Sequence, residues 1–402
     1  MRTTVGITSR VFLPEPAAAS FRLGAIAEAL TGDGAGVCVI TAGLPPGTPA
    51  GAVQPETAAK VKRFPVLRDE TGYVRGYLPY LSFDIPLFFR LLFAPRFNVL
   101  LVEPPPTSGF VARLACSLRR VPYVWYAADV WSDATEAAGA PGPVVKAVRA
   151  LERFAVRGAS GIIAVSDGVG DRVRELGGKN IRVVPNGIDT GTYSTAAVSL
   201  SASELAELGI TAPYVLYAGT ASEWQGARVF AQAMTVVAGR DPNLQLVYVG
   251  QGSEWGDIKN DAEELRKKLG REAIVQLPTT TPEMVSRLLA GAEAAMVSIV
   301  PGKGYDFAYP TKVLAALASG KPVLFAGNGP VARDLLSYDL GLACRYDVGA
   351  VAEGILALTA SARQGRSPGE LRCWVKENRS MAKAAEEAAC FILEVAAREE
   401  HR

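Results

Sequence analysis

Short apolar runs recur along the chain, separated by longer segments with helical spacing. The first half carries "TTVGITS", "AGVCVIT", "FNVLLVE", "VPYVWYA", "GIIAVS" and "IRVVP", and the second half carries "YVLYAG", "LQLVYVG", "AIVQLP", "AAMVSIV" and "KPVLFAG". Between them the spacing predicts helices, among them 20–30, 143–157, 225–239 and 262–269. Strands alternating with helices in this way predict parallel sheets covered by helices on both faces. The pattern runs through twice, so the expected fold class is α/β, with two doubly wound Rossmann-like domains. Open α/β sheets bind ligands at the carboxyl ends of their strands, so the two domains are expected to face each other across a shared cleft. The loops that follow strands are therefore the informative ones.

A length of 402 residues suits two such domains. The Pro-Asn-Gly turn in "VVPNGIDTGTY" ends a strand, and the Ser/Ala-rich "STAAVSLSASEL" leads to the next series. The expected organisation is a first domain over 1–190, a second over 191–371 and an Ala/Glu-rich helical tail over 372–402 that packs across either domain.

Composition narrows the chemistry. A net charge of +2 gives no global argument for nucleic acid, so none is expected as a partner. The five cysteines include no CxxC pair and suggest free thiols in a reducing compartment. The start, "MRTTVGITSRVF", has no apolar targeting stretch, and the expected location is the cytoplasm, with the inner face of a membrane as a variant. His401 is the only histidine, which argues against His-based zinc sites and a Ser-His-Asp triad. No apolar run is long enough to span a membrane. The segment "IPLFFRLLFAPRF", Ile85 to Phe97, has two readings: a helix packing on the core, or a basic, apolar surface giving peripheral membrane contact through the first domain.

The strongest candidate site lies in "GYDFAYPTKVLAALASGKPVL". Pro310 and Gly320 mark the two ends of a helix, and Lys312 falls in its first turn. A cation is unfavourable at that positive end unless an anion neutralises it, so Tyr309, Pro310, Thr311 and Lys312 predict a site for an anion such as a diphosphate. Gly219, Thr220 and Gln225 in "YAGTASEWQG" and Gly250 and Gly252 in "VGQGSEW" follow strands, where glycine lets backbone approach a ligand or simply makes a turn. In the first half, Ala18 and Ala19 leave room at a helix start, and Arg22 suits a phosphate, a carboxylate or an ion pair. Glu103, Asp129 and Asp133 follow strands, where carboxylates serve as bases, accept sugar hydroxyls or cap turns.

Four segments in order, "FLPEPAAASFR", "YAADVWSD", "VVPNGIDTGTY" and "YPTKVLAALASGKPV", resemble the GT-B glycosyltransferases, nearest to family 4 and its bacterial polysaccharide and sugar-antigen transferases. The resemblance implies a nucleotide sugar as donor substrate, held mainly by the second domain, an acceptor held mainly by the first, and a final helix within 372–402 that crosses back to the first domain. It implies no cofactor and no metal, with Lys312 and backbone amides offsetting the charge of the leaving diphosphate. Donor-binding residues are then Gly219, Thr220, Gln225, Gly250, Gly252 and Tyr309 to Lys312; acceptor-binding residues are Ala18, Ala19, Arg22, Glu103 and Asp133; Lys312 and Asp129 are catalytic.

The chain departs from the family pattern at named positions. Relatives commonly carry two glutamates eight apart, where this chain has Phe307 and Ala315. The basic pair that many members place on the diphosphate falls at Thr220 and Gln225, and Ala128 stands where a basic residue often precedes the aspartate. The implied function is transfer of a sugar from a nucleoside diphosphate to a glycan, lipid-linked or small-molecule acceptor, with retention at the anomeric carbon. A sugar-nucleotide 2-epimerase and a catalytically silent nucleotide-sugar-binding subunit are the alternatives.

Overall fold

The computed structural model describes residues 2–15, 17–45, 58–69, 72, 74, 76–137, 139–211, 213–360 and 365–400, so His401 lies outside the described residues. The chain divides into two compact units, Met1–Asn186 with Met381–Arg402, and Gly187–Ser380.

The first unit holds a parallel sheet of β1 (Thr4–Thr8), β2 (Gly36–Ala42), β3 (Lys60–Phe64), β4 (Val99–Val102), β5 (Tyr123–Ala127), β6 (Gly161–Ala164) and β7 (Ile181–Val183), in the order β3-β2-β1-β4-β5-β6-β7. Its helices are α1 (Ala18–Gly32), α2 (Tyr77–Leu92), α3 (Pro106–Arg119), α4 (Trp131–Ala137), α5 (Gly142–Gly158) and α6 (Asp167–Glu175). The central strands β4, β5 and β6 are buried along their whole length, which is why they read as continuous apolar runs. The order reverses between β1 and β4, and a doubly wound sheet opens its ligand crevice at such a point.

The second unit begins with α7 (Ala202–Glu207) and continues through β8 (Tyr214–Thr220), α8 (Arg228–Val237), β9 (Gln245–Gln251), α9 (Trp255–Leu269), β10 (Ile274–Leu277), α10 (Pro282–Gly291) and β11 (Ala295–Ser298). It ends with α11 (Thr311–Ala318), β12 (Val323–Ala326), α12 (Pro330–Ser337), β13 (Gly341–Cys344), α13 (Val348–Thr359) and α14 (Pro368–Asn378). The six strands are parallel in the order β10-β9-β8-β11-β12-β13.

The final helix, α15 (Met381–Glu400), packs Phe391, Ile392 and Val395 into the core of the first unit with Val5, Ile7 and Leu23. The unit boundaries differ from the sequence expectation at both crossings. Residues 187–190 belong to the second unit because Ile188 bridges to Ser380 and Arg372 donates to the Thr190 and Tyr193 carbonyls at 2.8 and 2.9 Å. The expected tail splits for the same reason: Leu371, Trp374 and Val375 of α14 join the second unit's core, and only α15 joins the first unit.

Candidate functional site

Helix α11 buries Val313, Leu314 and Leu317 in the core, which fixes the first turn that carries Lys312. Its N-terminus follows Pro310, and no side chain caps it. Gly320, with φ of 73°, supplies the left-handed residue just past the C-terminal end. The half-buried Lys312 ammonium donates to the Tyr217 hydroxyl at 2.7 Å and the Thr220 carbonyl at 3.3 Å, and stands 4.1 Å above the Tyr217 ring. These partners are neutral, and among the described residues no carboxylate pairs with it. Burial pushes the Lys312 ammonium down to about 7.

Lys312 opens onto a cavity of about 440 Å³ that Gly219, Thr220, Gln225, Pro310 and Thr311 also border. Ala315, 7% exposed, lies on its wall. Phe307 is half-buried in the preceding loop. Gly219 has φ of 131°, and a Cβ there would lie 3.1 Å from Lys312 Cε, so this glycine makes room for the lysine side chain.

Three donor candidates do not border the cavity. A Cβ on Gly250 would meet the Gly219 carbonyl at 2.2 Å, and one on Gly252 would meet the Ala221 carbonyl at 2.1 Å. Both glycines thus serve the close approach of the β8 and β9 strand ends. The Tyr309 ring packs instead against the Arg379 guanidinium, 4.8 Å from its centroid. Sequence reasoning missed Trp224, which borders the cavity and stacks on Tyr305 with centroids 4.5 Å apart. The signal was an aromatic residue in each of two loops that follow strands.

In the first unit, Arg22 and Glu103 form an ion pair, Nη2 to Oε1 at 2.6 Å, with side chains 15% and 7% exposed. Arg22 also lies 4.5 Å from the Tyr126 ring centroid and 3.5 Å from Asn186 Oδ1. Burial drives the Glu103 carboxyl above its ordinary value; Arg22 opposes that shift and Asp129 adds to it. Asp129 stands exposed after β5, where the surrounding chain raises its pKa and Arg22 pulls it back. Glu152 fixes this turn by accepting from the Trp131 and Ser132 amides at 2.7 and 3.0 Å, a role the sequence did not reveal.

The structure therefore brings Arg22, Glu103 and Asp129 together. Asp133 is committed elsewhere: Arg172 of α6 holds both its carboxylate oxygens at 2.7 Å. Ala18 is exposed and Ala19 half-buried in the first turn of α1. Arg10, also missed, is buried beside Tyr80, with its guanidinium 3.6 Å above the ring and pushed down to about 10 by burial. Among the described residues, Thr8 Oγ1, Arg10 Nη1, Ser20 Oγ, Arg22 Nε and Glu103 Oε2 are buried with no hydrogen-bond partner. Each of these residues follows or closes a strand of this sheet, or begins the next helix.

The family model described as Glycosyl transferase 4-like domain matches residues 18–187, and the model described as Glycosyl transferases group 1 matches residues 212–361. The chain belongs to the GT-B glycosyltransferases. Sucrose-phosphate synthase from Thermosynechococcus elongatus is similar to this glycosyltransferase with TM-score 0.71 at 17% identity, over 99% of this chain and 100% of that one. HepE from Anabaena, solved in complex with UDP and glucose, matches with TM-score 0.69 at 16% identity, over 98% and 100%. A UDP-N-acetylglucosamine 2-epimerase, named as putative, from Listeria monocytogenes matches with TM-score 0.62 at 14% identity, over 96% and 95%. At such identities the likeness is one of fold, which transferase and epimerase share; the two family models are what distinguish this chain. No curated protein sequence matches it.

Proposed function

We propose that this glycosyltransferase takes a nucleoside-diphosphate sugar in the cavity beside Lys312 and transfers the sugar to an acceptor held by the first unit. The observation that carries the reading is a desolvated ammonium at an uncapped helix N-terminus with only neutral partners. A diphosphate supplies the missing negative charge, accepts from the helix N–H groups and restores the lysine to its charged form. The bound UDP of HepE, a protein of the same fold, supports the choice of donor class.

Charge builds on the leaving diphosphate as the glycosidic bond breaks, and fixed donors at that point lower the barrier without a metal. In the retaining reaction the leaving phosphate takes the acceptor proton, and Asp129 orients the substrate. In an inverting reaction Asp129 would be the base, because Asp133 is tied to Arg172. Ala315 offers no hydrogen-bond acceptor, so ribose recognition falls to other groups on the cavity wall. The unpaired buried donors and acceptors of the first unit suit a polar acceptor such as the sugar of a glycan, of a lipid-linked saccharide or of a small glycoside.

A thermal-shift screen against UDP-, GDP-, TDP- and ADP-sugars tests the donor reading, and one class is expected to stabilise the protein clearly above the others. Absence of stabilisation by every class would sink it. Anomeric analysis of the product decides the stereochemistry, and an inverted product would refute retention.

A further inference from the structure

Helix α2 is apolar on both sides. Phe83, Leu87 and Leu91 point into the unit and are buried. Leu78, Leu81, Ile85, Phe89 and Phe93, spaced three or four residues apart, form a second stripe that is exposed, Phe93 by 80%. The positions where a water-facing helix carries charge hold large apolar side chains instead. From Leu78 to Phe93 the stripe covers sixteen residues, and fifteen steps of 1.5 Å make it about 22 Å long. Arg119 of α3 donates to the Leu91 carbonyl at 2.6 Å and fastens the last turns of the two helices together, beside the exposed Leu118.

The exposed charge in this stretch of the chain has one sign. Between residues 77 and 120 the only carboxylates are Asp84 and Glu103, and both are buried. The same stretch holds five arginines, of which Arg96 and Arg120 are exposed near the Phe93 end. Arg90 lies along the Phe64 ring, 3.8 Å from its centroid.

We infer that the outer face of α2 docks on a lipid bilayer with anionic headgroups, the phenylalanines and leucines entering the acyl boundary and the arginines engaging phosphate. A long, convex apolar stripe fits a planar boundary, and arginine stems extend along apolar surface while their heads reach the headgroups. The inference stands whichever acceptor the enzyme takes. Among the described residues no helix is long and apolar enough to cross a membrane, so the contact is peripheral.

Sedimentation of the full-length protein with vesicles of phosphatidylcholine alone, and of phosphatidylcholine mixed with phosphatidylglycerol, tests it. The protein is expected to partition into the anionic vesicles at least ~10-fold more strongly. Phe89→Ser with Phe93→Ser should lower that partition at least ~10-fold at unchanged Tm, since both side chains face solvent. Arg96→Glu with Arg120→Glu, which alters charge and leaves the apolar stripe intact, should remove the preference for anionic lipid. Wild-type protein that stays in the supernatant with both vesicle types overturns the inference, as does equal binding by both double variants. A dimer that Phe89→Ser with Phe93→Ser dissociates, without vesicle binding, would assign the face to a second copy of the chain and overturn it too.

Discussion

The Lys312 ammonium is held by Tyr217 twice over, through a 2.7 Å hydrogen bond to its hydroxyl and by lying 4.1 Å above its ring. The Tyr217 hydroxyl in turn donates a hydrogen bond to the Thr220 carbonyl at 2.7 Å, so the lysine is anchored by groups that bring no negative charge. An anchored cation of this kind is oriented before its anion arrives, which is what electrostatic stabilisation of a leaving group requires. Lys312→Ala is expected to lower kcat/KM at least ~100-fold, about 2.7 kcal/mol of transition-state stabilisation. Near-normal turnover in that variant would remove Lys312 from the mechanism.

The same arrangement has a cost in stability with a definite pH window. Lys312 falls from its ordinary 10.5 to about 7 in the folded protein, so between those values the unfolded chain binds more protons. Stability therefore rises with pH across the window, and the full penalty is present below pH 7. Lys312→Met keeps the length and drops the charge. Its Tm should exceed that of the wild type near pH 6, and the difference should shrink toward pH 10. Equal Tm values at pH 6 would mean that the ammonium is well solvated.

Donor affinity should follow the same proton. A diphosphate favours the charged lysine, so binding takes up a proton when Lys312 starts neutral. Affinity is expected to be flat below pH 7 and to fall toward tenfold per pH unit above it. Isothermal titration in buffers of different ionisation enthalpy reads the proton uptake directly; pH-independent affinity between pH 6 and 9 would contradict the assignment.

The strand-end glycines separate by role. Gly219→Ala sets a methyl group 3.1 Å from Lys312 Cε and should weaken donor binding by displacing the ammonium. Gly250→Ala drives its methyl group against the Gly219 carbonyl and should cost on the order of 3 kcal/mol of stability. A Gly250→Ala protein of wild-type Tm would show that the β8 and β9 ends can separate.

Most of the fold was legible because buried parallel strands must be apolar throughout, and β4, β5, β6, β8 and β9 announce themselves in that way. The two strands missed, β3 and β13, are the outer strands of their sheets. In β3, "KVKRF", polar residues outnumber apolar ones, and β13 is the short "GLAC". Helix α8 begins at Arg228, later than the spacing suggested, because Gly226 adopts φ of 60° just before it. The Lys312 site was legible from local helix signals alone. The commitment of Asp133 to Arg172 was not, since the partners lie 39 residues apart and meet only through tertiary packing. Likewise nothing local distinguishes Gly219, which serves the cavity, from Gly250, which serves the sheet.

The Arg22 and Glu103 pair gives the sharpest test of the first unit. Removing one member strands the other's charge in a buried position, so Arg22→Met should destabilise by about 3–5 kcal/mol. Arg22→Met combined with Glu103→Leu removes both charges and should recover most of that loss. Stability alone would make the pair a structural device. However, Arg22 Nε and Glu103 Oε2 each keep an unused hydrogen-bonding site. If those sites receive the acceptor, the double variant, although stable, should raise the acceptor KM at least ~10-fold while the donor KM stays unchanged. A stable double variant with ordinary acceptor KM would leave the pair a purely structural role, and Thr8, Arg10, Ser20 and Asp129 would then be candidates in the first unit to hold the acceptor.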